Sequence, residues 1–274
     1  MTTRSQIQVP LGAPLHQHLP LRPWAEEKTR RLPGLNPVAP GDWLRVDEVF
    51  AAQMRLRDAL IANRRAAVLA LDEAARPAAE ELLGAVLAEV AAKPGYVIGA
   101  QSVVRPDGVE VPLDRTDPLA TAGRLVQEDL VLLEKPDAGD EHLLTGAVLC
   151  FPASWTLEQK FLRPLTTIHV PVPDYDGNIA RRVQRLFDGL QPDRPIWRAN
   201  YLVYGDPALH QPRREGEARK LAPEGPRFLR MERQVLKRLE RSRAVVFSIH
   251  SYVLEMDALA PEDRAALAGL SAVG

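Results

Sequence analysis

Residues 228–254 read FLRMERQVLKRLERSRAVVFSIHSYVL, and the predicted fold depends on how this stretch is interpreted. Residues 244–254 are rich in β-branched and aromatic side chains, which favour a strand. The polar residues 240–243 separate them from the run 228–239, as in a β-hairpin. Residues 228–241 are also good helix formers, so a helix is the alternative for the first run. We predict the hairpin, because the second strand needs a pairing partner.

Other short runs supply further strands. Residues 197–204 (WRANYLVY) are aromatic and β-branched, and residues 130–135 and 143–151 are apolar runs bounded by turn residues. In RPDGVEVPLD, the pair Asp107 and Gly108 lies between extended residues, which predicts a second hairpin.

Helical spacing is found on both sides of these runs. Apolar residues recur every three or four positions over residues 49–61 and 179–190, and Pro77 can begin a helix that continues to Val90. Residues 155–168 also have helical spacing, and we expect Pro164 to kink this helix or to end its regular part. The pattern predicts the α+β class, an antiparallel sheet with helices packed on it and an N-terminal helical elaboration.

Length and composition indicate one domain. A chain of 274 residues that is 46% hydrophobic can bury a substantial core. Residues 1–40 are rich in proline and lack periodicity, so we expect an extended or partly disordered arm before a single domain over residues 41–274. His16 and His18 would face the same way on this arm, a spacing that can chelate a metal. An ordinary polar arm is the favoured interpretation.

Charge and cysteine content limit the possible partners. The formal net charge of −1 provides no field that would attract nucleic acid or an anionic membrane. Cys150 is the single cysteine, so the chain cannot form an intramolecular disulfide or hold an all-cysteine iron–sulfur cluster, and we expect an inert buried thiol. The N-terminus lacks the apolar segment of a signal peptide, and no window approaches the ~20 apolar residues that span a bilayer. We therefore expect a cytoplasmic protein.

Residues 150–173, CFPASWTLEQKFLRPLTTIHVPVP, contain the first candidate site residue, His169. An imidazole at the end of a helix, followed by Pro171 and Pro173, could be a rigid axial ligand to a haem iron. A packed or capping histidine is the alternative, and the spacing alone does not decide between them.

Two charged residues in apolar strands are the next candidates. Arg198 lies in IWRANYLVY and Glu232 lies in LRMERQ. A charge in such a strand costs free energy unless it is paired or functional. The structural alternatives are an internal salt bridge between Arg198 and Glu232, or a solvent face on an edge strand.

Three patches of this sequence resemble the haem-dependent oxidative N-demethylase family. They are GAVLCFPASW (146–155) with Lys160 and IHVPVP (168–173), IWRANYLVYGDPALHQP (196–212), and FLRMERQVLKRLERSRAVVFSIHSY (228–252); GLNPVAPGDWLRVDEVF (34–50) matches more weakly. The haem-binding subunit of this family is a PAS-type domain. The resemblance therefore implies a PAS-like antiparallel sheet that forms the distal wall of a haem pocket.

The resemblance also implies roles for individual residues. His169 would be the axial ligand of haem b, and the haem propionates would be bound by arginines, for which Arg163, Arg230 and Arg233 are the candidates, with Arg181 as a further one. Arg198 would act on bound oxygen, and Glu232 would hold an ammonium substrate or pass a proton. Each propionate candidate could instead be a solvated surface charge.

The implied reaction is oxidative N-demethylation of a small secondary amine such as dimethylamine, with O2 consumed and formaldehyde released. The chain has no G-x-G-x-x-G fingerprint after a strand. The resemblance implies a separate reductase with FMN and a 2Fe-2S cluster. The alternatives are a haem-binding gas or redox sensor, a haem carrier, or a haem-free relative. His250 replaces an arginine common in the family and Glu240 replaces a proline, and the first change puts the identity of the amine in doubt.

Overall fold

The computed structural model describes residues 14–30, 34–168, 177–217, 225–269 and 272–273. The α-helices are α1 (Glu27–Arg30), α2 (Phe50–Asn63), α3 (Arg65–Val68), α4 (Arg76–Ala91), α5 (Pro118–Gly123), α6 (Leu157–Lys160), α7 (Leu165–Ile168), α8 (Gly177–Gly189) and α9 (Pro261–Leu267). The strands are β1 (Asn36–Pro37), β2 (Leu69–Leu71), β3 (Val97–Ile98), β4 (Ser102–Val104), β5 (Glu110–Pro112), β6 (Asp129–Glu134), β7 (Leu143–Val148), β8 (Ile196–Tyr204), β9 (Phe228–Arg238), β10 (Val245–Glu255) and β11 (Ala272–Val273).

The main sheet has the strand order β1-β8-β9-β10-β6-β7-β2 and is antiparallel along this path, while β11 pairs with β8 in parallel. The hairpin β9–β10 forms its centre, with an unbroken register from Phe228 opposite Glu255 to Arg238 opposite Val245. The hairpin prediction is confirmed, and the helical alternative for residues 228–241 is wrong. The fold is therefore α+β with a mostly antiparallel sheet.

Strand alternation gives the sheet two faces. The front face carries Arg198, Asn200, Glu232, Gln234 and Phe247, and the back face carries Trp197, Arg233, Val235, Val246 and His250. Behind the sheet, α2, α4 and α5 contribute Leu60, Leu82, Val86 and Leu119 to one apolar core. In front, α6, α7 and α8 contribute Leu157, Leu165 and Phe187 to a second core. Burying each of these leucines stabilises the fold by roughly 1.5–3 kcal/mol.

The predicted helices of residues 49–61 and 77–90 are confirmed as α2 and α4, and Pro77 lies in the first turn of α4. The predicted helix of residues 155–168 is wrong as a continuous element. It is divided into α6 and α7, and the break lies at Phe161, which has extended backbone, and Leu162, which has φ of 57°. Pro164 therefore precedes the second helix, as its missing N–H allows.

Asp107 and Gly108 lie in the turn between β4 and β5, where Gly108 has φ of 79°. The hairpin prediction is confirmed, but this hairpin belongs to a separate three-stranded sheet, β3-β4-β5. In the described ranges, no helix combines the length and apolar character needed to cross a bilayer.

The arm before the sheet contacts β10 and α9. Asp263 of α9 accepts hydrogen bonds from Arg22 Nε (2.9 Å) and Trp24 Nε1 (2.6 Å). His16 lies beside β10, where its backbone N–H donates to Val253 O at 2.7 Å. Residues 14–24 are therefore held against the domain by hydrogen bonds.

Candidate functional site

Polar side chains occupy the front face where the three longest strands lie side by side. Asn200, Glu232 and Ser251 are neighbours across β8, β9 and β10, and in the next row Gln234 lies between Arg198 and Ile249. A sheet face that packs on a core is normally apolar, so this row of polar groups needs hydrogen-bonding or charged partners.

Glu232 is the anion of this row and is 7% exposed. Its Oε2 accepts a hydrogen bond from Gln234 Nε2 at 3.1 Å, and its Oε1 lies 3.5 Å from Arg230 Nε. Arg230 is fixed in turn, because its Nη1 donates to Leu209 O at 2.9 Å and its Nη2 donates to Phe151 O. The carboxylate thus has a hydrogen bond from Gln234 on one side and an ion pair with the anchored Arg230 on the other, where Arg230 Nε makes no hydrogen bond.

Arg198 is a cation of the same face, and its Nε is buried without a hydrogen-bond partner. No hydrogen bond or ion pair joins Arg198 to any residue in the part of the chain that the structure describes. Burial lowers the pKa of Arg198, and the attraction of Glu232 opposes that shift. The predicted alternative of an internal Arg198–Glu232 salt bridge is wrong. On the side away from β9, β1 pairs only with Ile196 and Trp197 of β8, so β8 has no strand partner at Arg198 on that side in the described ranges.

The front face is only half-covered at this point. Phe247 and Gln234 are half-buried, although their neighbours along β10 and β9 are buried. Arg198 and Asn200 are half-buried as well. Trp155, Phe161 and Ile168 belong to the same apolar cluster as Phe247 and are also half-buried. The surface thus combines apolar side chains with a half-buried cation that has no ion-pair partner among the described residues and a buried carboxylate, the composition of a small-molecule site.

Residues 34–273 match the family described as haem-dependent oxidative N-demethylase, alpha subunit-like. The chain belongs to this family. The match includes the front face and every described strand of the main sheet, and it agrees with the family that the sequence patches suggested.

For this N-demethylase-family chain, the front face can be compared with what a haem requires: apolar contacts for the porphyrin, cations for two propionates and an axial ligand. Phe247 and its cluster supply the apolar contacts, and Arg198 supplies an unpaired cation. The described residues therefore fit a haem in these two respects. His169, the predicted axial ligand, lies outside the described residues.

The structure separates the arginines predicted to bind propionates. Arg230 lies on the front face but is engaged with two backbone carbonyls and Glu232. Arg233 lies on the back face, where its guanidinium donates to Trp43 O and Asp42 O and stacks on Trp197. Arg163 is exposed between α6 and α7, and Arg181 is exposed on α8. The front face thus brings together Arg198, Arg230 and Glu232 but not Arg233.

His210 lies after β8 and is not among the site residues predicted from the sequence. It is half-buried, and its Nδ1 lies 2.8 Å from Cys150 O. A carbonyl can only accept, so Nδ1 carries the proton and Nε2 has a free lone pair. Nε2 is buried and has no hydrogen-bond partner. Burial lowers the pKa of His210, which favours this neutral form.

Cys150 itself is buried, and burial raises its thiol pKa to about 12.

A second cluster, the His250 network, lies behind the sheet and was also missed. His250 Nδ1 lies 2.8 Å from Glu128 Oε1, and its Nε2 lies 2.9 Å from Asp47 Oδ2, which is 2.8 Å from His16 Nε2. Burial would lower the pKa of His250, but Tyr252, Glu128 and Asp47 raise it well above its ordinary value. Burial would raise the pKa of Asp47, but the two imidazoles lower it.

The His250 network borders a cleft of about 1020 Å³ between the arm, residues 41–48 and the end of α4. His16 thus has a carboxylate partner that no sequence pattern predicts, while His18 is exposed. In the described ranges, no group of three or more His, Cys, Asp or Glu side chains is arranged to hold a metal ion. The members of the network are far apart in sequence, so no local motif could have revealed it.

Proposed function

We propose that this chain binds haem b against the front face, as a PAS-like domain of residues 41–274 behind the arm of residues 1–40, and that it N-demethylates a small secondary amine such as dimethylamine. The observation that carries the proposal is the pair Arg198 and Glu232: a half-buried arginine whose buried Nε has no hydrogen-bond partner, and a buried carboxylate hydrogen-bonded to Gln234, on one sheet face in a chain of this family. His169 remains the proposed axial ligand, and Arg163 and Arg230 remain candidates for the propionates. Arg233, a candidate from the sequence, lies on the back face and does not reach a haem bound on the front.

Haem would supply the activation of O2 and the one-electron chemistry. In the overall reaction, dimethylamine, O2, two electrons and two protons give methylamine, formaldehyde and water. The electrons would come from a separate reductase with FMN and a 2Fe-2S cluster, and a family named for an alpha subunit supports the existence of such a partner.

The amine would bind through its charge. A secondary ammonium has two N–H donors, and Glu232 and Asn200 lie directly opposite each other on β9 and β8. The Asn200 side chain has no hydrogen bond to any residue that the structure describes, so its Oδ1 is available beside the carboxylate. Glu232 would hold the ammonium and receive a proton from it, and Arg198 would direct its free donors at negative charge that develops nearby.

The test uses the full chain reconstituted with haem. We expect a Soret band that shifts on addition of dimethylamine, and formaldehyde release when a chemical reductant or a flavin and iron–sulfur reductase is supplied. The chain alone with NADPH should release little. Several small amines should be compared, because the preferred substrate is the least constrained part of the proposal. A haem spectrum that no amine perturbs, with no formaldehyde under a working electron supply, would reject the enzyme and favour a haem sensor or carrier.

A further inference from the structure

We infer that Gln234 is a positioning residue, which holds the Glu232 carboxylate apart from Arg198 and so keeps a cation-binding subsite open between them. The inference rests on the proposed function for its ligand, a small secondary ammonium. The separation of the two charges can be tested without that ligand.

The register places all three side chains within mutual reach. Gln234 lies directly opposite Arg198, and Glu232 is two residues along β9 on the same face. Diagonal neighbours of this kind in an antiparallel pair are roughly 7–8 Å apart at Cα, a distance that arginine and glutamate side chains span easily. Opposite charges on a half-buried face attract each other more strongly than in water. An Arg198–Glu232 ion pair is therefore the arrangement to expect, and the structure does not form it.

Gln234 provides the reason. A carboxylate can only accept hydrogen bonds, so the Gln234 group 3.1 Å from Glu232 Oε2 must be the amide NH2. This bond fixes Oε2 on the Gln234 side of the carboxylate. Arg230 Nε lies 3.5 Å from Oε1 as an ion pair without a hydrogen bond, and Arg230 is anchored to two backbone carbonyls. Glu232 therefore cannot rotate toward β8 without losing one of these contacts.

Arg198 remains unpaired as a consequence, with its Nε buried and without a partner. In the inferred arrangement, an ammonium would lie between Glu232 and Asn200, which are opposite each other on β9 and β8, and the guanidinium donors of Arg198 would remain free. Were Arg198 to close onto Glu232, the ion pair would neutralise the carboxylate and occupy this position. Gln234 would thus determine amine affinity without contacting the reacting atoms.

The experiment measures the coupling between Arg198 and Glu232 by thermal denaturation of the full chain. Arg198→Leu, Glu232→Gln and the double variant are compared in the native background and in Gln234→Met, which keeps the length but removes the amide. We expect additive shifts of the melting temperature in the native background and non-additive shifts in Gln234→Met, where a new ion pair forms. Lys237→Met, a half-buried back-face position of β9, controls for methionine on this strand. If Gln234→Met does not fold, Gln234→Asn, whose amide is too short to reach Glu232, replaces it.

A second readout is the dissociation constant for dimethylammonium, taken from the Soret shift of the haem-loaded protein. Loss of the Gln234 bond should weaken binding about tenfold or more, with KM raised and kcat little changed. Adding Arg198→Leu to Gln234→Met should restore the affinity of Arg198→Leu alone, which a purely structural role of Gln234 would not produce. Additive shifts in both backgrounds would overturn the positioning role. If the shifts are non-additive in Gln234→Met but the native protein binds no amine, the proposed function is rejected and the positioning role of Gln234 is retained.

Discussion

His250 and Glu128 lie 2.8 Å apart between Nδ1 and Oε1, behind the sheet that carries Arg198 and Glu232 on its front. The imidazole also contacts Asp47, so that one buried cation connects two carboxylates. The resemblance implied that His250, in place of an arginine, puts the identity of the amine in doubt. Both ring nitrogens are instead engaged by carboxylates on the back face, so we expect this replacement to act on stability.

Replacing His250 with leucine should destabilise the fold by about 3–5 kcal/mol, because Glu128 and Asp47 would lose their shared cation. His250→Arg should retain most of the stability, since it keeps a cation at this position. Urea denaturation of the two variants and the native protein measures the difference. A His250→Leu variant as stable as His250→Arg would contradict the bridging role.

The same network predicts a pH dependence. The pKa of His250 is raised above its ordinary value of 6.5. Its contribution to the free energy of unfolding is therefore complete below about pH 6.5 and is lost as pH rises through the higher folded-state pKa. The pKa of Asp47 is lowered from 3.8, so its contribution is present above that value and is lost as pH falls through the lower folded-state pKa. As the pH rises from about 6 to 10, the titration of His250 should lower the unfolding free energy of the native protein. His250→Arg should lack this contribution, because arginine stays charged. Equal slopes in the two proteins would exclude a titrating His250.

Arg198→Leu should leave the protein folded and no less stable, because the guanidinium is a desolvated charge without a partner. Haem should be retained, but autoxidation should be faster and turnover should fall by ~10²–10³, the usual effect of removing one donor that stabilises developing charge. The measurements are the melting temperature, the rate of autoxidation and formaldehyde release. Normal turnover and autoxidation would exclude Arg198 from the reaction.

Asn200→Leu, which is nearly isosteric, removes the carbonyl opposite Glu232. The KM for a secondary amine should rise by roughly 10–100-fold, the effect of one hydrogen bond to a charged group, while the Soret band of the amine-free protein should not change. Tyr201→Phe, on the other face of the same strand, is a matched control. A KM that changes equally in both variants would argue against an amine contact at Asn200.

His169→Ala should remove the Soret band or sharply reduce haem retention while the protein stays folded. His210→Ala is the comparison, because its Nε2 is the buried imidazole nitrogen left without a hydrogen-bond partner in the described ranges. Haem titration followed by absorbance and circular dichroism separates loss of the ligand from loss of the fold. An unchanged ferrous spectrum in His169→Ala would reject the assignment, and loss of haem in His210→Ala would transfer it to His210.

By itself, the sequence determined most of the secondary structure and the family. Strand β10, helix α4 and the turn at Gly108 were predictable because local side-chain pattern and backbone preference decide such elements. The break at Leu162 was not, because Leu162 N–H donates to Leu144 O of β7, a contact that lies outside any local window.

Only the tertiary structure decided which charges meet. Arg198 and Glu232 were recognisable from the sequence as charges in apolar strands. Their failure to pair depends on Gln234 and on Arg230. Arg230 is anchored to Phe151 and Leu209, which lie 79 and 21 residues from it along the chain. Arg230 and Arg233 lie three residues apart on β9. Because side chains alternate along a strand, the two arginines lie on opposite faces of the sheet. Electrostatic pairing depends on distances in space, which the order of residues along a chain does not contain.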